Sequence, residues 1–264
     1  MRHFIVSFSL ICLLGAGAAA DPCGNTSAGF EAWKADFAQK ARRAGIGQRG
    51  LQALANARYA SGTIAADRNQ KSFRYSLEKF MQIRGANTII AQGRQRKAQS
   101  PQFYASLERA FGVPAGVIIA IHGMETGFGR FMGDSQVVSA IVTLTYDCRR
   151  SEFFEPHALG ALKLVDQGSI SAATKGAKHG ELGHTQFLPG NALRYGIDGN
   201  GDGRVDFYSQ SDALASTANY LRQKGWRPGQ GYQQGQPNYR VLKEWNAATV
   251  YQQSLAIMGA QIDR

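Results

Sequence analysis

Glu125 is the residue whose surroundings most invite chemistry. It follows a nearly all-apolar stretch, Ala115 to Met124, that opens on Gly112-Val113-Pro114 and is broken afterwards by Gly127 and Gly129. Proline suits the first helical position and glycine stops the preceding helix, so the stretch reads as a buried central helix with Glu125 in its final turn. Ile118 and Ile121 sit one to two turns below it on a similar face. A carboxylate placed there is partly desolvated and lies at the negative end of the helix dipole. Both effects disfavour ionisation and raise its pKa, which suits a general acid near neutral pH. Gly127 and Gly129 would let a bulky substrate come close. The plainer alternative is a helix-end carboxylate that faces solvent or pairs with Arg130.

A second group is Asp198-Gly-Asn200-Gly-Asp202-Gly203-Arg204-Val205-Asp206. Oxygen side chains at positions one, three and five, with glycine at six for the sharp turn, are how a calcium loop presents hard ligands. A standard loop wants Glu at position twelve, where this chain has Ser209; a tight polar turn without metal is the alternative. His179 and His184 are five apart with no third ligand at zinc spacing, and read as polar loop residues. No Ser/His/Asp order, phosphate loop or Cys-x-x-Cys motif points to another catalytic class.

The elements that must position these residues are helices. Phe30, Trp33, Phe37 and Ala41 recur at helical spacing, as do Phe73, Leu77 and Phe80, then Phe103, Leu107 and Phe111. Helical apolar stripes of this kind are core faces. A helix begins after Asp134-Ser135 with Val137, Val138, Ile141 and Leu144 on one face; another holds Ala158, Leu159, Leu162 and Val165. From Gly176 to Gly203 the chain turns glycine-rich and irregular, which in a helical protein marks a functional loop. Leu214, Thr217, Ala218 and Leu221 restart a helix that stops at Gly225. Trp226 to Pro237 reads as a surface loop, and a last helix carries Tyr251, Leu255, Met258 and Ile262. No convincing strand pattern and no internal repeat is present, so the expectation is one mainly α domain over 21–264.

Residues 1–20 have the layout of a secretory signal peptide: Arg2, an apolar run from Phe4 through Leu14, then Gly-Ala-Gly-Ala-Ala-Ala. The run is shorter than the roughly 20 apolar residues of a spanning helix, so an exported chain in the periplasm is expected. Cys23 follows Asp21-Pro22 and not a small residue, which argues against a lipid anchor. Beyond the leader only Cys23 and Cys148 remain, and two cysteines in an oxidising compartment are expected to pair. The formal charge is +11. In an exported protein that balance suits an anionic polymer such as cell wall, or simple solubility, and the export signal disfavours nucleic acid.

The segment His122-Gly123-Met124-Glu125-Thr126-Gly127-Phe128-Gly129-Arg130, with Gly133-Asp134, resembles the catalytic signature of the lytic murein transglycosylase B family. The similarity continues through Ala140 to Asp147, Arg149 to Phe154, Gly183 to Pro189, Asp198 to Asp206, Asp212-Ala213, Ala218 to Tyr220, Gly225-Trp226, Trp245-Asn246 and Tyr251. Several motifs in the family's order are more specific than any one of them. The resemblance implies a lysozyme-like helical fold with a small calcium-loop-containing lobe, acting on peptidoglycan glycan strands. Glu125 would protonate the bond between N-acetylmuramic acid and N-acetylglucosamine, then deprotonate the muramyl C6 hydroxyl to leave a 1,6-anhydro end. By the same resemblance Gln186 lines the cleft, Tyr220, Trp245 and Tyr251 surround the substrate, and Arg149 and Arg150 form a basic pair at its edge. It further implies a structural calcium held by Asp198, Asn200, Asp202, the Arg204 carbonyl and Asp212. No cofactor is implied for the chemistry. One departure is Ala177, where the family carries a serine near the acid. Glu181 is a spare carboxylate beside the motif; inside the cleft it would open a hydrolytic, muramidase route. A non-catalytic wall-binding scaffold is the rival from another class.

Overall fold

The computed structural model describes residues 22–69 and 75–264. The expected leader, and Phe73 of the second apolar stripe, lie outside the described residues. Among the described residues thirteen α-helices follow a short 3-10 turn: α1 (Phe30–Arg43), α2 (Gln48–Asn56), α3 (Ser61–Arg68), α4 (Leu77–Ile83), α5 (Ala86–Gln99), α6 (Pro101–Phe111) and α7 (Ala115–Thr126) come first. They are followed by α8 (Val137–Tyr146), α9 (Ser151–Gln167), α10 (Pro189–Tyr195), α11 (Gln210–Gln223), α12 (Tyr239–Trp245) and α13 (Thr249–Asp263).

The centre is α7, apolar on every side and therefore packed on every side; all its residues but Glu125 are buried. Its main neighbour is α13. A side chain at Gly116 would strike the Gly259 carbonyl oxygen at 2.2 Å, so the two helices touch backbone to backbone there. The contact is pinned by Asp263, whose Oδ1 accepts the Gly116 N–H at 2.9 Å and the Lys97 ammonium at 2.7 Å. Counting from that crossing at about 1.5 Å per residue, Glu125 lies about 13.5 Å along α7 and Tyr251 about 12 Å back along α13. The antiparallel pairing thus delivers Tyr251 to the end of α7 where Glu125 sits.

Two apolar clusters share the molecule. One gathers around α7 and includes α5, α11, α12 and α13. The other is built from α1, α2, α8 and α9, with Phe30, Trp33, Phe37, Tyr59 and Tyr146 packed ring against ring. Helix α8 is buried at every residue and joins them, with Val137 in the first and Val138 in the second. A disulfide between Cys23 and Cys148 fastens the N-terminal segment to the end of α8, as the cysteine count predicted.

The departures from the sequence reading are local. Strands β1 (Ser135–Gln136) and β2 (Lys175–Gly176) pair antiparallel, two residues each and too short to leave an alternating pattern. The helix expected after Asp134-Ser135 therefore starts at Val137. The glycine-rich stretch holds a short helix, α10, started by Pro189. Trp226 is not part of a surface loop: it is 1% exposed, and its indole N–H donates to the Gly112 carbonyl at 2.9 Å. Among the described residues no single helix is long and apolar enough to cross a membrane.

Candidate active site

Where α7 ends, the chain turns left-handed for three residues, Gly127, Phe128 and Gly129. Thr126 ties this turn to the 183–187 loop: its hydroxyl donates to the His184 carbonyl at 2.7 Å and accepts the Gly129 N–H at 2.9 Å. Gly129 is required by protein packing and not by substrate access, because a side chain there would meet the His184 imidazole at 2.3 Å. His122 and His184 meet at 3.0 Å beneath the turn. Burial first, then His184, pushes the His122 pKa down to about 3, so its ring is neutral. The two histidines hold the motif together from below; they are not cleft residues.

Glu125 lies at the junction of two grooves, one of about 520 Å³ and one of about 490 Å³. Its side chain is neither solvent-exposed nor paired with Arg130, whose Nε donates to the Gly127 carbonyl. Two protein donors reach it. The Tyr251 hydroxyl donates to Oε1 at 2.5 Å and the Trp245 indole N–H to the same oxygen at 3.0 Å. Among the described residues Oε2 receives no hydrogen bond, so it is the oxygen left for a proton and a ligand. Burial pushes the Glu125 pKa up and the charge of Glu181 adds to this; the Tyr251 and Trp245 donors, and more weakly Arg84, pull it back. Burial and Glu125 together hold the Tyr251 phenol well above its usual pKa, so it remains a donor.

Most of the residues singled out from the sequence converge here. Gln186, Tyr220 and Trp245 line the first groove; Trp245, Tyr251 and Arg150 line the second. Gln186 adopts a left-handed backbone, φ 55°, and its amide donates to the Gly183 carbonyl at 2.7 Å. The Tyr220 hydroxyl is used by the protein, donating to the Glu244 carbonyl at 2.6 Å, so this ring offers the groove its edge and face only. Arg149 is the residue the structure does not bring in. Its guanidinium grips the buried Asp67 carboxylate and carbonyl, and Arg150 binds the same carboxylate while stacking over Phe154. The pair bolts α3 to the start of α9, and only Arg150 also reaches the cleft.

Phe153, Asn191, His157 and Asn246 are among the groove residues not singled out as substrate-binding. Phe153 borders both grooves, with 52% of its surface exposed, while the adjacent Phe154 is buried. The Phe-Phe pair at the start of α9 was the available signal, since neighbouring positions point about 100° apart around a helix with a single buried face.

The Asp198–Asp206 loop lies apart from the cleft. Asp198 accepts the N–H groups of Gly201, Asp202 and Gly203, at 2.7, 3.2 and 2.7 Å. Asp212, buried in the first turn of α11, accepts the Gly199 N–H on one oxygen and the Asp206 N–H on the other. Among the described residues no three acidic, histidine or cysteine side chains stand together as a metal cage.

Comparison with known proteins places this geometry in a family. Residues 29–236 match the model of the transglycosylase SLT domain. Over 133 residues, 48% of this chain, the sequence is 35% identical to membrane-bound lytic murein transglycosylase B of Escherichia coli K12; that match spans 37% of the relative's length. The fold superposes on SltB3 of Pseudomonas aeruginosa in complex with NAG-anhNAM-pentapeptide, at TM-score 0.78 and 27% identity, covering 87% of this chain and 78% of that one. It also superposes on the E. coli lytic transglycosylase Slt35 in complex with calcium, at TM-score 0.73 and 21% identity, covering 87% and 92%. Lysozyme-like helical architecture, the Glu125 signature and a family match over most of its length agree: the chain belongs to the transglycosylase SLT domain family.

Proposed function

We propose that this chain is a peptidoglycan lytic transglycosylase with Glu125 as its acid and base. The observation that carries the reading is the asymmetry of Glu125: both protein donors bind Oε1, Oε2 is left without one among the described residues, and the residue lines both grooves. In the acid form the proton belongs on Oε2, the oxygen without donors. A glycan strand laid through both grooves brings a glycosidic oxygen to it. Proton transfer breaks the bond between C1 of N-acetylmuramic acid and the departing N-acetylglucosamine. The carboxylate then takes the proton from the C6 hydroxyl of the same muramyl residue as that oxygen closes on C1. An intramolecular nucleophile has a high effective molarity, so one carboxylate suffices for the 1,6-anhydro product. The SltB3 complex, which contains an anhydro-muramyl ligand, supports the assignment.

Digesting sacculi and weighing the fragments tests it. Anhydro-muramyl ends are expected from the native protein and not from Glu125→Gln. Unchanged release by that variant would leave a wall-binding scaffold.

The leader layout and the disulfide support export to the periplasm, where glycan strands are the partner. The donors of the 198–212 loop, Asp198, Asn200, Asp202, the Arg204 carbonyl and Asp212, are all oxygen and fit a hard cation such as calcium. Slt35 in complex with calcium supports this assignment. The ion would brace the loop and take no part in the chemistry.

A further inference from the structure

The transglycosylase route uses one carboxylate, yet two more line the cleft, Glu181 and Glu244, the latter 3.2 Å from the Lys224 ammonium. Glu181 borders both grooves together with Glu125. It is close enough for its charge to act on Glu125, and no hydrogen bond joins the two carboxylates among the described residues.

Glu181 is also held in place. Strand β2 and its pairing with β1 fix one side of its loop, and the Ala177 N–H donates to the Glu181 carbonyl at 3.0 Å. On the other side Leu182 and Phe187 exchange backbone hydrogen bonds at 2.8 and 3.0 Å. Its Oε2 accepts the His179 backbone N–H at 3.1 Å, and its Oε1 lies 3.4 Å from His179 Nδ1. The other nitrogen of that imidazole lies 3.8 Å from Asp67 Oδ1. Asp67, His179 and Glu181 thus form a row that ends in the cleft. About a fifth of the Glu181 side chain remains accessible. A carboxylate held by the His179 amide, partly open to solvent and lining the same groove as a second carboxyl group supplies the groups that activate water in glycoside hydrolysis.

We propose that Glu181 is the general base of a second, hydrolytic activity of the same cleft, in which water replaces the muramyl C6 hydroxyl as nucleophile. The inference rests on the glycosidic cleft assigned above. Glu125 gives its proton to the glycosidic oxygen as the C1–O bond breaks. Glu181 takes a proton from the water whose oxygen bonds to C1. One water is consumed, and the products are a free hydroxyl on N-acetylglucosamine and a reducing N-acetylmuramic acid. Glu181 then releases its proton to solvent and Glu125 regains one. Arg150 and His179 border the same groove as Glu181. The enzyme would therefore partition each cleavage between an anhydro end and a reducing end, with Glu181 setting the ratio.

The test is to digest purified glycan strands, reduce the products with borohydride and weigh them, since a hydrolysed end is one water heavier than an anhydro end. The full chain is expected to give both. Glu181→Gln is expected to lower the ratio of reducing to anhydro ends at least tenfold, general-base catalysis being worth about 10²–10⁴. A second variant, Glu181→Ala with sodium azide, is expected to form a muramyl azide that the native protein does not, because azide attacks without a base. Anhydro ends alone from the native chain, an unchanged ratio in Glu181→Gln, or no azide adduct overturns this proposal and leaves the transglycosylase reading intact. Intact strands after incubation with the native chain overturn both.

Discussion

Glu125 and Asp198 are both carboxylates in loops or loop-facing turns, and the protein moves their acidities in opposite directions. Asp198 sits at the surface with the Gly203, Gly201 and Asp202 amides donating to it, and these hold its pKa below the usual carboxylate range. Glu125 is half-buried between the two grooves and receives two donors on one oxygen; burial outweighs them and its pKa rises. Surrounding a carboxylate with backbone amides makes a permanent anion, fit to shape a loop or bind a cation. Withholding water while leaving one oxygen without a partner makes a proton donor. The difference lies first in burial and then in the number and direction of the donors, since the functional group is the same.

The largest expected effect comes from removing the acid. Glu125→Gln keeps the shape and can still accept from Tyr251 and Trp245, yet it has no proton to give; release of soluble muropeptides from sacculi should fall about 10²–10⁴-fold. Retained release would break the contrast at its catalytic end.

Next in size is the loop's anchor. Asp212→Ala strips the acceptors from two backbone amides, Gly199 and Asp206, in a residue with no exposed surface. Unsatisfied buried donors cost about 1–3 kcal/mol each, so thermal melting should occur several degrees lower, at about 2–4 °C per kcal/mol for a domain of this size. If the loop also binds calcium, the native melting temperature rises with added calcium and falls with a chelator, and Asp212→Ala loses that response. A native melt indifferent to calcium would remove the ion from the loop.

A smaller effect separates the donors of Glu125 from its burial. The Tyr251 hydroxyl favours the ionised carboxylate, so Tyr251→Phe should raise the Glu125 pKa further. The alkaline limb of the kcat–pH profile should then move to higher pH, with a loss of about tenfold in rate at the optimum. A limb that moved the other way would mean that Tyr251 stabilises the protonated acid.

The role of α7 was legible because a helix apolar on every side has one place to go, and a carboxylate at its end is conspicuous. The pairing of Cys23 with Cys148 was legible because no other partner remained. What could not be read was anything set by contacts distant in sequence. The residues gave Glu125 greasy neighbours and a helix dipole, and the resemblance put Trp245 and Tyr251 around the substrate, but nothing showed that these two, 120 and 126 residues away, donate to its Oε1. Arg149 looked like a cleft residue because nothing in its own segment announces Asp67 as its partner. Trp226 was lost in a Gly, Gln and Pro-rich stretch whose composition hides one core anchor. Gly129 was read as room for substrate, whereas His184 fills that room.

The smallest expected effect tests whether the raised pKa of Glu125 costs stability. A carboxyl group whose folded pKa exceeds its unfolded value, about 4.5 for glutamate, destabilises the fold only where it must ionise. The cost is absent below the unfolded pKa, grows as pH rises through the interval between the two values, and is complete above the folded one. Glu125→Gln never ionises. The variant should therefore melt higher than the native chain at neutral pH, by a gain on the order of 1 kcal/mol or about 2–4 °C. The two melting curves should converge as the buffer is taken down to about pH 4, near the unfolded pKa of glutamate. Asp198→Asn should behave in the opposite sense, losing stability at neutral pH and approaching the native chain in acid, because its folded pKa is depressed. If both variants shifted the same way with pH, the two carboxylates would not differ as their donors imply.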